Sequence, residues 1–387
     1  MTMPRRSIAL VIDRMEPSRG GAEAYLDRLA RHLLARGHDV AALAGTFAGD
    51  EAPYERITIK EERGGRRARE RGFSSRARAE TERRGFDAVL AVRHISWATV
   101  YNPHGGVFRD ALARSAASCG SKVVAGARLA LRRLQPTVRH FLAVEEDMAR
   151  STCRIVAVSR FVANRLHEGL GVSPARIRVI ENGVDLDRFL PADEPRKEGD
   201  GDLGFHSSGA RLLFVGHNFR LKGLPSALRV LGRLLRSPVE ASLVVVGRGH
   251  EKPYRALARR LGVESRVSFR GACDRVERYY QAADVLLHPT YYDPCSLVVL
   301  EAMASGLPVV TTRWNGASEQ LLDLPGALVV EDPHRIDEMA RGIADLVSHR
   351  DLHREARLAV RARAERHPWQ EKLRAMEDVL LQGREGS

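Results

Sequence analysis

The chain has 387 residues, 44% hydrophobic and 29% charged, and its lysines and arginines exceed its acids to give a net charge of +13. The length suits two or three domains with ample core, and no run of eighteen apolar residues supports a membrane span or a signal peptide. The basic excess calls for an anionic partner or surface, but aromatic residues make up only 6% and no zinc-finger or RNP-type pattern accompanies the charge, which speaks against nucleic acid.

In chain order, residues 8–13 (IALVID) read as a strand cut short by Asp13, followed by a glycine-rich turn ending in Gly20 and Gly21. Apolar residues then recur at helical spacing from Ala22 to Leu34, and Gly37 ends the pattern before another strand, making a β-α-β unit. Residues 60–84 carry ten basic and five acidic side chains with little that is apolar, which predicts a solvated, mobile insertion. FDAVLAVRH returns to strand character, and His104 follows in a loop beside two glycines. Residues 107–140, with seven basic side chains against Asp110 alone, read as one basic amphipathic helix suited to an anionic membrane or an acceptor. Strand 154–159, a helix from Arg160 to about Leu170, and 176–185 complete the first half.

The stretch 190–209, rich in Pro, Gly, Asp and Ser, predicts a linker, and a second β/α series starts at residue 210. Asp185 and Asp187 form a D-x-D among turn formers, read as structural, so no metal is expected. Arg220 and Lys222 lie in the loop after the first strand of the second half, where they could neutralise a departing diphosphate. Gly247 and Gly249 follow the next strand but lack the third glycine of a dinucleotide-binding loop. Cys119, Cys153, Cys273 and Cys295 form no CxxC pair, which argues for reduced thiols in a cytoplasmic protein.

The organising stretch is residues 291–312, YYDPCSLVVLEAMASGLPVVTT, a loop, a short helix and a buried strand. Pro294 and Ser296 suit the helix start and Gly306 its end, leaving the amides of Cys295, Ser296 and Leu297 to hold an anion. Asp293 sits in the loop, and Glu301, eight residues on, leans toward the helix start. A carboxylate there can accept both hydroxyls of a ribose diol.

Two acids so spaced, followed by LEAMASGLPVV, resemble the signature of family 4 glycosyltransferases of GT-B fold. ENGVD, the KG loop and HPTYYDP resemble the lipopolysaccharide core glucosyltransferase subgroup. The resemblance implies an α/β fold of two facing Rossmann-like domains with parallel sheets and a cleft between them. The expected organisation is an acceptor-side domain over 1–189, the linker 190–209, a nucleotide-sugar domain over 210–366, and a helix over 367–387 crossing back to the first domain. It implies a retaining hexosyltransferase that uses UDP-glucose without metal or other cofactor and acts on a lipopolysaccharide-core or other lipid-linked glycan. The implied catalytic residues are Asp293, His104, Lys222 and Arg220. The implied substrate contacts are Glu301, Gly20, Gly21, Gly247, Gly249, Cys295, Ser296, Leu297 and Glu319. An anionic membrane at the inner face of the cytoplasmic membrane is the expected surface. A nucleic-acid-binding protein and a UDP-sugar epimerase on the same fold are the rival readings.

Overall fold

A computed structural model describes residues 5–17, 20–49, 51–60, 63–192, 200–206 and 208–382. Residues 18 and 19 of the first glycine-rich turn, 61 and 62 of the charged stretch, and 193–199 and 207 of the predicted linker lie outside them. The chain divides into two compact units.

The first unit gathers Met1–Leu112, Gly126–Glu181 and Gln370–Ser387. Its seven-stranded parallel sheet runs Glu55–Thr58, Asp39–Ala44, Ser7–Val11, Ala88–Ala91, Val100–Tyr101, Arg154–Ala157 and Ile177–Val179. Central strands are covered on both faces, which is why Ile8, Ala9, Leu10 and Val11 are all fully buried and read as an unbroken apolar run. The Gly21–Ala35 helix presses Tyr25, Leu26, Leu29, Ala30 and Leu33 inward. Glu377, on the Trp369–Leu381 helix, is buried against it: the carboxylate lies 2.9 Å from His32 Nε2 and 3.2 Å from both His38 Nε2 and Arg36 Nε.

Two expectations are corrected in this region. The charged stretch is no loose insertion but a helix, Arg66–Arg84, stopped by Gly85 in the left-handed conformation at φ 67°. Its polar surface carries Arg–Glu pairs within the helix, while Phe73 and Ala77 are buried and the Arg93 guanidinium lies 3.9 Å from the Phe73 ring centre. Few apolar residues suffice because they fall on one face. Residues 107–140 likewise form no single helix: Phe108–Ala117, Lys122–Leu134 and Pro136–Arg150 are separated at Gly120, φ 85°, and at Pro136, which cannot continue the preceding helix.

The second unit comprises Ala113–Ala125 and Asn182–Trp369. Its six-stranded parallel sheet runs Val267–Gly271, Ala241–Val246, Ala210–Val215, Val285–His288, Val309–Thr312 and Leu328–Val330. Leu212, Phe214, Leu243 and Val245 of this sheet pack with Leu228 and Leu231 of the Leu224–Leu234 helix and Ile343 of the Ile336–Ser348 helix. The strand order is that of a Rossmann sheet, built outward in both directions from its first strand.

Phe73→Ala tests the Arg66–Arg84 helix as part of the core. Urea unfolding followed by circular dichroism should show a loss of about 3–5 kcal/mol. A change within roughly 0.5 kcal/mol, the range for surface substitutions, would return the segment to the solvated class.

Candidate functional site

In the second unit the sheet order reverses between Ala210–Val215 and Val285–His288. Ligands of open α/β sheets bind beyond the carboxyl ends of strands at such a reversal. The two loops that leave these strands are bound to each other. The Tyr291 amide donates to the Leu221 carbonyl at 2.8 Å, and Thr290 Oγ1 donates to the same oxygen at 3.1 Å. Gly223 adopts φ +84°, and a Cβ there would lie 1.9 Å from the Pro289 carbonyl oxygen. Only glycine allows the loops this approach.

The interlock sets Lys222 against Asp293, with Nζ donating to Oδ2 at 2.5 Å. His288 Nε2 stands 3.6 Å from the same oxygen, and neither ring nitrogen of this fully buried histidine has a hydrogen-bond partner. Burial opposes charge on Asp293, but the Lys222 ammonium outweighs it and holds the carboxyl well below the usual range. Burial likewise lowers the His288 pKa, against the pull of Asp293, so the imidazole is neutral beside the pair. The result is a fixed anion and cation with an unsatisfied imidazole alongside.

The Asp293 loop is also fastened to residues 314–316, through Asp293 N to Trp314 O at 2.9 Å and Gly316 N to Asp293 O at 2.8 Å. Buried Asn315 does more than turn the chain. Its Oδ1 accepts from Ser296 N at 3.3 Å and Ala317 N at 3.1 Å, while Nδ2 donates to Thr311 Oγ1 at 3.2 Å. The Ser296 amide at the start of the Leu297–Ala304 helix is thus already engaged, and the Cys295 carbonyl accepts from Asn182 Nδ2 at 3.0 Å. Glu301, half-buried on this helix, accepts from the Tyr280 hydroxyl at 2.8 Å. Burial pushes its carboxyl upward, while the Tyr280 hydroxyl and the positive charge of Arg188 pull against that shift.

Arg220, two residues before Lys222, takes a different course. It is exposed, and its Nη1 is 3.9 Å from Cys119 Sγ. Gly247 and Gly249 are required by packing: a Cβ would lie 2.0 Å from the Gly216 carbonyl oxygen at the first and 2.4 Å from the Phe219 ring at the second. Glu319 is half-buried in the 3-10 turn Gly316–Leu321.

The remaining sequence candidates lie in the first unit. Gly20 is the extended residue before the Gly21–Ala35 helix, and Gly21 opens it. The His104 ring is tilted by 45° against that of Tyr25, with centroids 4.4 Å apart, and its buried Nε2 has no partner. Burial holds its pKa down to about 4, so it is a neutral imidazole at pH 7. Asp185 Oδ1 accepts from the Arg188 amide at 3.1 Å, as a turn aspartate does. Among the described residues no group of three or more His, Cys, Asp or Glu side chains could hold a metal ion.

Sequence reasoning passed over His288 and Tyr280. The first ends the apolar run ADVLLHPT, and a histidine at the carboxyl end of a buried strand was the available signal. Nothing in the local pattern marks Tyr280, which meets Glu301 across 21 residues of chain.

Two family models match the chain, "Glycosyltransferase Family 4" over residues 19–188 and "Glycosyl transferases group 1" over 209–349. The chain is 26% identical over 327 residues to the lipopolysaccharide glucosyltransferase WaaG of Escherichia coli (strain K12), covering 83% of this chain and 84% of that protein. A crystal structure of WaaG, described as a glycosyltransferase involved in lipopolysaccharide biosynthesis, superposes with a TM-score of 0.80 at 22% identity, covering 97% of this chain and 100% of that one. A D-inositol 3-phosphate glycosyltransferase of Catenulispora acidiphila is 33% identical over 225 residues, 54% of this chain and 52% of that protein, so the chain spans about half the length of that relative. Anabaena Alr3699/HepE, solved in complex with UDP-glucose, superposes with a TM-score of 0.73 at 17% identity over 98% of this chain and 100% of that one. With matching models on both Rossmann-like units and Rossmann strand order in the second, the chain belongs to glycosyltransferase family 4 and is an enzyme of GT-B fold.

Proposed function

We propose that this enzyme transfers glucose from UDP-glucose, with retention of configuration, to a lipopolysaccharide-core or other lipid-linked glycan. The observation that carries the reading is the Lys222–Asp293 pair at the sheet reversal, beside the start of the Leu297–Ala304 helix that bears Glu301. Glu301, oriented by Tyr280, has a second oxygen suited to the ribose diol. Lys222 and the amides near Cys295 and Leu297 meet the diphosphate, and Asp293 accepts a hydroxyl of the hexose. The anomeric carbon–phosphate oxygen bond breaks, an acceptor oxygen bonds on the same face, and the acceptor proton passes to the departing phosphate. Lys222 stabilises the charge that develops there. For His104, the unpartnered Nε2 takes a sugar hydroxyl; Gly20 and Gly21 let a ligand approach the backbone, and Glu319 contacts the donor sugar. The names of WaaG, a glucosyltransferase, and of the UDP-glucose complex of Alr3699/HepE support the choice of donor.

The acceptor side of the reading places the enzyme on the cytoplasmic face of an anionic membrane. The Lys122–Leu134 helix supports this, because none of its residues is buried and Val123, Leu131 and Leu134 are 82%, 67% and 73% exposed. Lys122, Arg128, Arg132 and Arg133 share the helix. Apolar side chains that sink to the headgroup boundary beside basic ones are the signature of a surface-lying helix.

Glu301→Gln should weaken UDP binding about tenfold or more, because charge-assisted bonds to the ribose contribute roughly 1.5–3 kcal/mol. Unchanged affinity by calorimetry, with the fold intact, would remove Glu301 from the donor site. Lys222→Ala should slow transfer about 100-fold, the scale for losing a preorganised stabiliser, whereas wild-type activity should survive EDTA. If chelation abolishes transfer and magnesium restores it, charge stabilisation by Lys222 alone is wrong. In liposome sedimentation, binding should rise with anionic lipid, fall with salt, and drop when Arg128, Arg132 and Arg133 become Glu while UDP binding persists, each basic residue contributing ~1 kcal/mol. Equal sedimentation of wild type and triple variant would leave the helix an ordinary solvated surface.

A further inference from the structure

The second unit contains a cavity of about 470 Å³ to which the donor reading assigns no occupant. Tyr254, Leu257 and Tyr291 give it an aromatic and apolar lining, with Pro225 and Pro253 from the first turns of the Leu224–Leu234 and Lys252–Leu261 helices. Arg220, Arg229 and Arg260 converge on the same space, joined by His334.

Several arginines of this unit have carboxylate partners, among them Arg233 with Asp337 at 2.5 Å, Arg255 with Glu251 at 2.8 Å and Arg313 with Glu331 at 2.6 Å. Among the described residues, the three cavity arginines have none. Arg229 donates to the Pro225 carbonyl at 3.0 Å, and Arg220 has the Cys119 sulfur at 3.9 Å. Asp332 is joined to Arg114 at 3.3 Å and stands 4.0 Å from His334 Nε2, so this acid beside the lining neighbours the histidine and not the three arginines. Like charges gathered around a concavity without a counter-ion attract an anion, and guanidinium forks match the oxygens of a phosphate.

Position relative to the Lys222–Asp293 pair narrows the occupant. Arg220 and Lys222 alternate along one loop, and Tyr291 and Asp293 along the other. The first member of each couple lines the cavity and the second makes the ion pair, so the cavity adjoins the proposed hexose position. Apolar and aromatic walls with a few convergent charges suit a ligand with a carbon skeleton and one anionic end.

We propose that this cavity is a subsite for a phosphate group carried on a sugar, with Arg220, Arg229 and Arg260 holding the phosphate and Tyr254 and Tyr291 facing the ring. The sugar half of the assignment rests on the glycan-acceptor reading above; the anionic half does not. Calorimetry on the full chain tests it with glucose 6-phosphate as the probe. With UDP saturating, glucose 6-phosphate should bind, glucose should not, and the double substitution Arg229→Glu and Arg260→Glu should weaken binding at least about tenfold while UDP affinity is unchanged. Both residues are exposed, so the variant should retain the wild-type melting temperature. Undiminished glucose 6-phosphate binding in a folded double variant overturns the site. Equal affinity for inorganic phosphate overturns its sugar specificity, and binding only to vesicles of anionic lipid, lost in the variant, assigns the arginines to a headgroup instead. Failure of UDP itself to bind would strike the donor reading and leave this measurement standing.

Discussion

The site depends on one constraint: a buried carboxylate, Asp293, placed where two loops meet beyond a sheet reversal. A lone buried anion would be costly, and removing one member of a buried pair typically costs about 3–5 kcal/mol. Asp293 is kept ionised by Lys222, which reaches it because the Leu221 carbonyl is bonded to Thr290 and Tyr291 and because residue 223 is glycine. Backbone interlock and ion pair therefore support each other. Each loop is held by something the other supplies.

The same arrangement makes the pair reactive toward ligands. Lys222 has three ammonium donors and Asp293 two acceptor oxygens, so further acceptors and donors can be engaged without either charge first losing its partner. His288 sits beside them with both ring nitrogens unsatisfied, a state that buried polar groups rarely tolerate. Its neutral form avoids a second positive charge next to Lys222 and leaves Asp293 as an acceptor.

Much of this was legible in the chain because it is local. The run ADVLLHPT, the loop through Asp293, the eight-residue interval to Glu301 and the glycine after Lys222 all lie in short stretches whose periodicity or turn chemistry is explicit. What escaped is long-range. Tyr280 meets Glu301 through tertiary packing, and Asn315 reaches the start of a helix that lies before it in the chain. The charged helix Arg66–Arg84 escaped for another reason: its composition is that of a solvated tract, and the apolar minority at Phe73 and Ala77 decides its place by position rather than number. The basic stretch after residue 107 was misread in length because one glycine and one proline weigh little in a count of charges and everything in the backbone.

The net charge of +13 also takes on meaning from where it is left uncompensated. Many arginines sit in exposed pairs such as Arg78–Glu82 and Arg354–Asp351, which contribute little to stability and cancel locally. Arg220, Arg229 and Arg260 face one cavity without carboxylates, and the Lys122–Leu134 helix sets basic residues among exposed apolar ones. A uniform excess would give only long-range attraction, screened beyond about 8 Å at physiological salt. Concentrated beside an aromatic cavity and along an apolar helix, the same excess acts at contact distance, where screening is weak and geometry can select what binds.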